Sequence, residues 1–125
     1  MKPLYPLHGI VTVLNTPFTE ADKIDFHALE RNVLEALDAG VAGFLAPAMA
    51  SEVQKLTREE RLDMVDCVMQ TTEGKLPVFA GTASSSFDEA KDVLLSYLEL
   101  GCKHVLFQLP FSSEKQFKQD FLRLA

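Results

Sequence analysis

The sequence predicts an α/β fold in which four parallel β-strands alternate with four α-helices, and three observations support this. Short apolar runs begin near residues 10, 42, 77 and 104, and their spacing suits a strand, a helix and two short loops. A helix start signal follows each run. The runs are apolar throughout instead of alternating, which is typical of parallel strands that are covered on both faces.

The first unit consists of a predicted strand over residues 10–14 and a helix that Asp25 can cap. Gly40 follows this helix and is suited to the left-handed conformation that ends one. The apolar positions between the two residues recur at helical spacing; they are Phe26, Leu29, Val33, Leu34 and Leu37.

The second and third units repeat this order, with strands predicted over residues 42–46 and 77–80. Each helix opens on a capping box, in which a Ser or Thr hydroxyl and a Glu carboxylate bind each other's free amides. The pairs are Thr57 with Glu60 and Ser86 with Glu89.

The fourth unit has a predicted strand over residues 104–109, ended by Pro110, and a helix that opens at Ser113 and runs to Ala125. No linker, low-complexity segment or charge block separates the four units. The sequence therefore predicts a single domain over residues 1–125.

The composition indicates a globular protein. Of the 125 residues, 47% are hydrophobic, and the formal net charge is -6. These values argue against disorder and against nucleic acid or an anionic membrane as a partner. The longest apolar runs are shorter than the roughly 18 residues of a membrane span. The N-terminus lacks the apolar stretch of a signal peptide, so a cytoplasmic location is expected.

The sequence offers no recognisable metal or cofactor motif. Cys67 and Cys102 lie far apart without a metal-binding neighbour, and we expect both to be buried, reduced thiols. None of the three histidines has a second histidine or a cysteine three or four positions away, as the usual metal site on a helix would require. A glycine fingerprint or a phosphate-binding lysine motif is also missing, so no cofactor is expected.

Two architectures fit four such units: a small doubly wound sheet, or half of an eight-stranded barrel. The periodicity does not separate them. A half-barrel would leave its first and fourth strands unpaired and its apolar inner side chains exposed. It would therefore need a partner chain or a second half.

A series of short motifs runs along nearly the whole chain, from about Gly9 to about Phe121. The motifs are Gly9-Ile10-Val11-Thr12, Thr16-Pro17-Phe18, Ala39-Gly40-Val41-Ala42-Gly43, Leu56-Thr57 with Glu59-Glu60-Arg61, Pro77-Val78-Phe79-Ala80-Gly81, and Pro110-Phe111. In order and spacing the series resembles the dihydrodipicolinate synthase/N-acetylneuraminate lyase family. No single motif is specific, and the ordered set carries the resemblance.

The resemblance implies a (β/α)8 TIM barrel of which this chain is the N-terminal half, with parallel strands inside and helices outside. It also implies a homo-oligomer and a small 2-keto acid, such as pyruvate, as substrate. In the family a lysine on the sixth strand forms a Schiff base with the keto carbon, assisted by a tyrosine on the fifth strand. This chain ends before either, and its own lysines lie in loops, on helix surfaces or just before a strand. No catalytic residue is therefore assigned.

The loop after the second strand departs from the family pattern, which is typically Gly-Thr-Thr-Gly-Glu. In the family the threonines and backbone amides of this loop hold the substrate carboxylate. This chain reads Ala48-Met49-Ala50-Ser51-Glu52, so both threonine hydroxyls are absent. Backbone amides can still bind a carboxylate, because an amide nest needs no particular side chain. The candidate substrate-binding residues in this loop are Met49, Ala50 and Ser51.

A second departure follows the fourth strand, where the family usually has Pro-Tyr-Tyr and the second tyrosine joins a neighbouring subunit's proton relay. This chain has Pro110-Phe111-Ser112, and Ser112 is the fourth candidate substrate-binding residue. The sequence thus predicts the N-terminal part of a pyruvate- or 2-keto-acid-dependent lyase of aldolase type, inactive as this fragment. The alternative is a non-catalytic half-barrel that acts by self-assembly or by binding a small ligand.

Overall fold

The structure is a computed structural model that describes residues 6–125. The described residues form four strands and four α-helices in strict alternation. In chain order they are β1 (Val11–Val13), α1 (Phe26–Ala39), β2 (Gly43–Leu45), α2 (Arg58–Thr72), β3 (Val78–Gly81), α3 (Phe87–Glu99), β4 (His104–Leu106) and α4 (Glu114–Leu124). Two short 3-10 turns, Met49–Ser51 and Val53–Lys55, lie in the connection between β2 and α2.

The strand order in the sheet decides between the two architectures. The sheet runs β1-β2-β3-β4, and each strand is parallel to its neighbour. A doubly wound sheet reverses its strand order at a switch point, whereas successive right-handed crossovers in sequential order form the arc of a barrel. The described residues therefore form four βα units of a TIM barrel.

Local hydrogen bonds start each helix where the sequence predicts. Side-chain oxygens of the four N-cap residues accept the amide three positions later, at 3.0 to 3.2 Å. In the third unit the predicted capping box is only half formed, because the Glu89 carboxylate binds the amide and the hydroxyl of Ser85 instead of the Ser86 amide. The four caps are Asp25, Thr57, Ser86 and Ser113.

The last strand is shorter than the predicted run over residues 104–109. Regular pairing with β3 ends at Leu106, opposite Gly81. Two residues later, the amide of Gln108 donates to the Thr82 hydroxyl at 3.1 Å instead of to a strand carbonyl. The Thr82 hydroxyl thus replaces a strand carbonyl as the hydrogen-bond acceptor just beyond the end of the β3–β4 pairing.

The core lies between the sheet and the helices. Phe44 of β2 is completely buried in a cluster with Leu29 and Val33 of α1 and with Met64 and Val68 of α2. A second cluster joins β3 to α2 and α3, and its buried members are Val65, Ala80, Val93, Tyr97 and Cys102. Both clusters occupy the side of the sheet that the helices cover.

The opposite side of the sheet, here called the inner face, has no such cover among the described residues. Side chains alternate along a strand, so the neighbours of Phe44 and Ala80 point away from the helices. The strand register aligns these side chains in a row, and none of them is buried. The inner face consists of Val11, Val13, Leu45, Phe79, His104 and Leu106. The expectation that both faces are covered is not met within residues 6–125.

Helix α4 docks through aromatic contacts at its margins, and none of its residues is buried. The ring of Phe121 lies edge-on to that of Phe107, with 6.2 Å between centroids. In the last turn of α4, the Arg123 guanidinium lies 4.0 Å from the centre of the Phe87 ring of α3. These contacts fix the helix beside α3 without placing it in the core.

Both cysteines are free thiols; Cys102 is buried as predicted, whereas Cys67 is only half-buried. Burial raises the pKa of each thiol above its ordinary value. Within residues 6–125, no helix is long and apolar enough to cross a membrane. The same residues contain no group of three or more His, Cys, Asp or Glu side chains that could hold a metal ion.

Candidate functional site

The connection from β2 to α2 lies at the carboxyl ends of the strands, where barrel enzymes carry their active sites. Its first turn rests directly on the end of β3. A methyl group added at Gly81 would lie only 2.2 Å from the carbonyl oxygen of Pro47, so only glycine permits this approach. The hydroxyl of Tyr97 donates a 2.9 Å hydrogen bond to the Gly81 carbonyl and holds the same point from the helix side.

Ser51 is a structural centre of this connection. Its side chain is completely buried, and its hydroxyl donates to the carbonyl of Leu14 at the end of β1. The same hydroxyl accepts the Ala48 amide at 3.1 Å, and the Ser51 amide donates to the Ala48 carbonyl at 3.0 Å. The hydroxyl and the amide of Ser51 are therefore both used inside the protein, and its assignment to substrate stays a prediction.

Thr16, which follows β1, fastens the connection from the other side. Its hydroxyl donates a 2.5 Å hydrogen bond to the Ser51 carbonyl and also lies 3.5 Å from the sulfur of Met64. Thr16 is buried. The β2–α2 connection is thus attached to the ends of both β1 and β3.

Met49 and Ala50 are the exposed residues of the first 3-10 turn in this connection. The Met49 side chain is 85% exposed. The loop's internal hydrogen bonds use the amides of Ala48, Ser51, Glu52 and Val53. Within the described residues, the amides of Met49 and Ala50 donate to no protein acceptor, which leaves them available for a ligand.

A cavity of about 190 Å³ adjoins this exposed turn at Met49. That volume is large enough for several waters, and therefore for a small organic ligand. Its lining combines apolar side chains with one ammonium group, one carboxylate and two side-chain amides. The lining residues are Met49, Glu52, Val53, Gln54, Lys55 and Gln108.

Sequence reasoning missed Lys55 and Gln108. The sequence places Lys55 in a loop like most of the other lysines, yet the second 3-10 turn brings it to the carboxyl edge of the sheet. Gln108 is the first polar residue after the fourth apolar run, and a polar residue at the carboxyl end of a parallel strand is a recognisable signal. That both line one cavity depends on the fold and not on local sequence.

The hydroxyl-rich segment after β3 serves the fold in this structure. Thr82 is completely buried and accepts the Gln108 amide, while the hydroxyl of Ser84 donates to the Thr82 carbonyl at 3.1 Å. Hydrogen bonds from Ser85 lower the pKa of the Glu89 carboxyl. The segment thereby joins β3, β4 and α3.

Ser112 is not brought to the cavity. It lies exposed in the connection between β4 and α4, immediately before the N-cap Ser113. The neighbouring Phe111 ring lies 5.9 Å from that of Phe117 in α4. The assignment of Ser112 to substrate stays a prediction, and the structure groups Met49 with Lys55 and Gln108 instead.

Comparison with known proteins agrees with this arrangement of strands and loop. The model of the dihydrodipicolinate synthetase family matches residues 6–120. The chain belongs to the dihydrodipicolinate synthetase family. Two similar relatives are named 4-hydroxy-tetrahydrodipicolinate synthase. The protein from Laribacter hongkongensis is 32% identical over 105 residues, and that from Sorangium cellulosum is 32% identical over 119 residues.

Solved structures of the dihydrodipicolinate synthetase family share the fold. The 4-hydroxy-tetrahydrodipicolinate synthase of Methylacidiphilum fumariolicum SolV superimposes with a TM-score of 0.87 at 26% identity, over 93% of this chain and 39% of that one. The two curated relatives are matched over 84% and 94% of this chain but over only 36% and 39% of their own lengths. The chain thus spans less than two fifths of these relatives.

Proposed function

We propose that the chain supplies the first four βα units of a lyase of the dihydrodipicolinate synthetase family that acts on pyruvate or another 2-keto acid. Family membership and the names of the curated relatives support this reaction class. The Schiff-base lysine and its tyrosine would come from strands that this chain does not contain. The contribution of this chain is to bind the carboxylate and not to perform the covalent step.

The observation that carries the proposal is the pair of available amides at Met49 and Ala50 beside the small cavity. Two adjacent N–H groups at a tight turn can bind a carboxylate without any hydroxyl. Lys55 adds a positive charge in the same cavity, and Gln108 adds an amide donor. The carboxylate of Glu52 opposes anion binding there, so we assign the ligand's carboxylate to the Met49 side of the cavity.

The first test is a titration of the 15N-labelled chain with pyruvate, read as amide chemical-shift changes. We expect the largest changes at Met49 and Ala50. The decisive variant is Met49→Pro, which removes one amide donor. Ala48 before it is extended, with φ −143° and ψ −169°, and the position opens a helical turn, so proline fits there.

The matched control is Met49→Ala, which keeps the amide and removes the side chain. We expect Met49→Pro to abolish the response and Met49→Ala to retain it. Changes that persist in Met49→Pro, or that spread without a centre at this loop, would contradict the proposed carboxylate site.

The second test is borohydride trapping with pyruvate, followed by mass measurement. We expect the isolated chain to form no stable adduct, because no lysine within residues 6–125 lies in a strand of the sheet, where burial would favour a nucleophilic amine. An adduct on the chain that is lost in Lys55→Met would show instead that this loop lysine performs the covalent step.

A further inference from the structure

A groove of about 590 Å³ runs between the outer sides of α1 and α2. Every residue that lines it belongs to one of these two helices or to the C-cap of α2. The two helices share the first core cluster and are neighbours in the fold. The α1–α2 groove therefore belongs to a pair of adjacent helices and not to an edge or a face of the sheet, and it lies apart from the candidate site at the strand ends.

Two large apolar side chains of α1 line this groove. Phe26 is 40% exposed and Leu34 is 49% exposed. They lie about 12 Å apart along the helix axis, at 1.5 Å per residue. The half-buried thiol of Cys67 faces them from α2. A helix with apolar side chains about two turns apart on one face fits this spacing.

The charged side chains of the α1–α2 groove are all acidic. Glu30 lies on α1 between the two apolar residues, while Asp63, Asp66 and Glu73 line the opposite wall. Within residues 6–125, the only ion pair that involves any of them joins Glu73 to Lys75, at 3.9 Å between two exposed side chains. The other three carboxylates have no cationic partner within 4 Å among the described residues.

The thiol of Cys67 is affected by the negative charge of the groove. Burial is the main cause of its raised pKa, and a hydrogen bond with Thr71 opposes that effect. The carboxylates of Glu30 and Asp66 raise the pKa further. Their charges thus act inside the groove, where they also attract a positively charged ligand.

We propose that the α1–α2 groove is a docking surface for a positively charged amphipathic helix of a partner protein. The apolar side chains of that helix pack on Phe26 and Leu34, and its lysine or arginine side chains pair with the free carboxylates of the groove. A polyamine or an inorganic cation would leave the two apolar side chains without a partner. The formal net charge of -6 speeds the approach of a basic partner and opposes a second copy of this chain in the groove.

The test titrates the 15N-labelled chain with a synthetic peptide that carries leucine on one helical face and lysine on the other. We expect the amide chemical-shift changes to centre on α1 and α2. The double variant Glu30→Gln/Asp63→Asn removes two carboxylates of the groove, and both side chains are exposed. We expect it to raise the dissociation constant at least about fivefold, with the far-UV circular dichroism of the folded chain retained.

The matched control is Glu35→Gln/Asp92→Asn, which removes the same number of charges at exposed positions outside the groove. We expect its dissociation constant to equal that of the wild-type chain. Absence of binding, changes centred on the inner face, or equal weakening by the two double variants would each overturn the proposal. So would a response to spermine as strong as the response to the peptide, since spermine has no apolar face.

A second measurement uses Cys67 as a probe of the groove. Cationic and anionic methanethiosulfonate reagents both convert a thiol to a mixed disulfide, and each rate is compared with the rate for a free thiol in solution. We expect Cys67 to favour the cationic reagent, the peptide to slow the reaction, and Glu30→Gln/Asp66→Asn to reduce the preference. No preference for the cationic reagent, or no protection by the peptide, would contradict the proposal. The pyruvate titration is read at Met49 and Ala50, so each proposal can fail without the other.

Discussion

The hydroxyl of Thr16 donates a 2.5 Å hydrogen bond to the carbonyl of Ser51, 35 positions further along the chain. Both residues are buried. The contact holds the connection after β2 against the end of β1, and the hydroxyl of Ser51 adds a second attachment to the carbonyl of Leu14. The position of the exposed amides at Met49 and Ala50 therefore depends on residues that no ligand touches.

Ser51→Ala should destabilise the protein. The substitution leaves the Leu14 carbonyl and the Ala48 amide without their side-chain partner, which costs about 2 kcal/mol for buried groups. Urea unfolding measures the change. Ser112→Ala is the control, because Ser112 is exposed and its loss should change the free energy of unfolding by less than about 0.5 kcal/mol. Equal midpoints for the two variants would contradict this role of Ser51.

Gly81→Ala should be more harmful than an ordinary glycine substitution. Its methyl group would lie 2.2 Å from the Pro47 carbonyl oxygen, and relief requires movement of backbone, at a cost of about 3 kcal/mol. Gly74→Ala is the comparison, since φ is +71° there with open space around the new methyl group, and left-handed strain alone costs about 1 kcal/mol. Thermal unfolding of the pair checks the order, and a milder effect at Gly81 would contradict it.

Tyr97 should make stability fall at alkaline pH. Burial raises the pKa of its hydroxyl to about 12, above the value of about 10 in the unfolded chain. Between these values the unfolded state loses the proton and the folded state keeps it. The stabilisation that comes from the protonated Tyr97 hydroxyl is therefore fully present below about pH 10. Above that pH the free energy of unfolding decreases by up to about 1.4 kcal/mol per pH unit, until about pH 12.

Tyr97→Phe isolates this effect, because the cysteines that also titrate at high pH are unchanged. At neutral pH the variant should be about 1 kcal/mol less stable, since the hydrogen bond to the Gly81 carbonyl is lost. The difference in urea midpoint between the two proteins should then shrink as the pH rises through 10. A constant difference across that range would show that Tyr97 does not titrate with folding.

The two thiols should react at different rates with Ellman's reagent. Cys67 is half-buried between α1 and α2, whereas Cys102 is buried and its thiol donates to the carbonyls of Val78 and His104. We expect Cys67 to be modified in the native protein and Cys102 only on unfolding. Cys67→Ser should remove the fast phase and leave the slow one, and two equal rates would contradict the assignment.

Sequence reasoning succeeded where structure depends on neighbours in the chain. Asp25 and Ser113 cap helices by binding amides three residues away, so their roles can be predicted from a few letters. The parallel units also follow from spacing and from uninterrupted apolar runs. The choice between a doubly wound sheet and a barrel needed the strand order, which no local pattern contains.

The candidate site was less predictable because its contacts are long-range. The burial of Ser51 depends on Leu14 and Thr16, more than 30 positions earlier. Lys55 and Gln108 line the same cavity only because β2 and β4 end on the same edge of the sheet. The exposure of Leu106 could be inferred only for the half-barrel of the two architectures, since an apolar strand has the same sequence whether its second face is covered or open.

Because α4 packs only loosely on the rest of the protein, local stability should decrease along the sheet from β1 towards β4 and α4. With no buried residue, this helix has the smallest share in the core, and its backbone amides should exchange with solvent through a local opening well before global unfolding. Helices α1 and α2, which share the completely buried Leu29, Val33, Met64 and Val68, should open last. The amides of the first two units should therefore be the most slowly exchanging in the sheet.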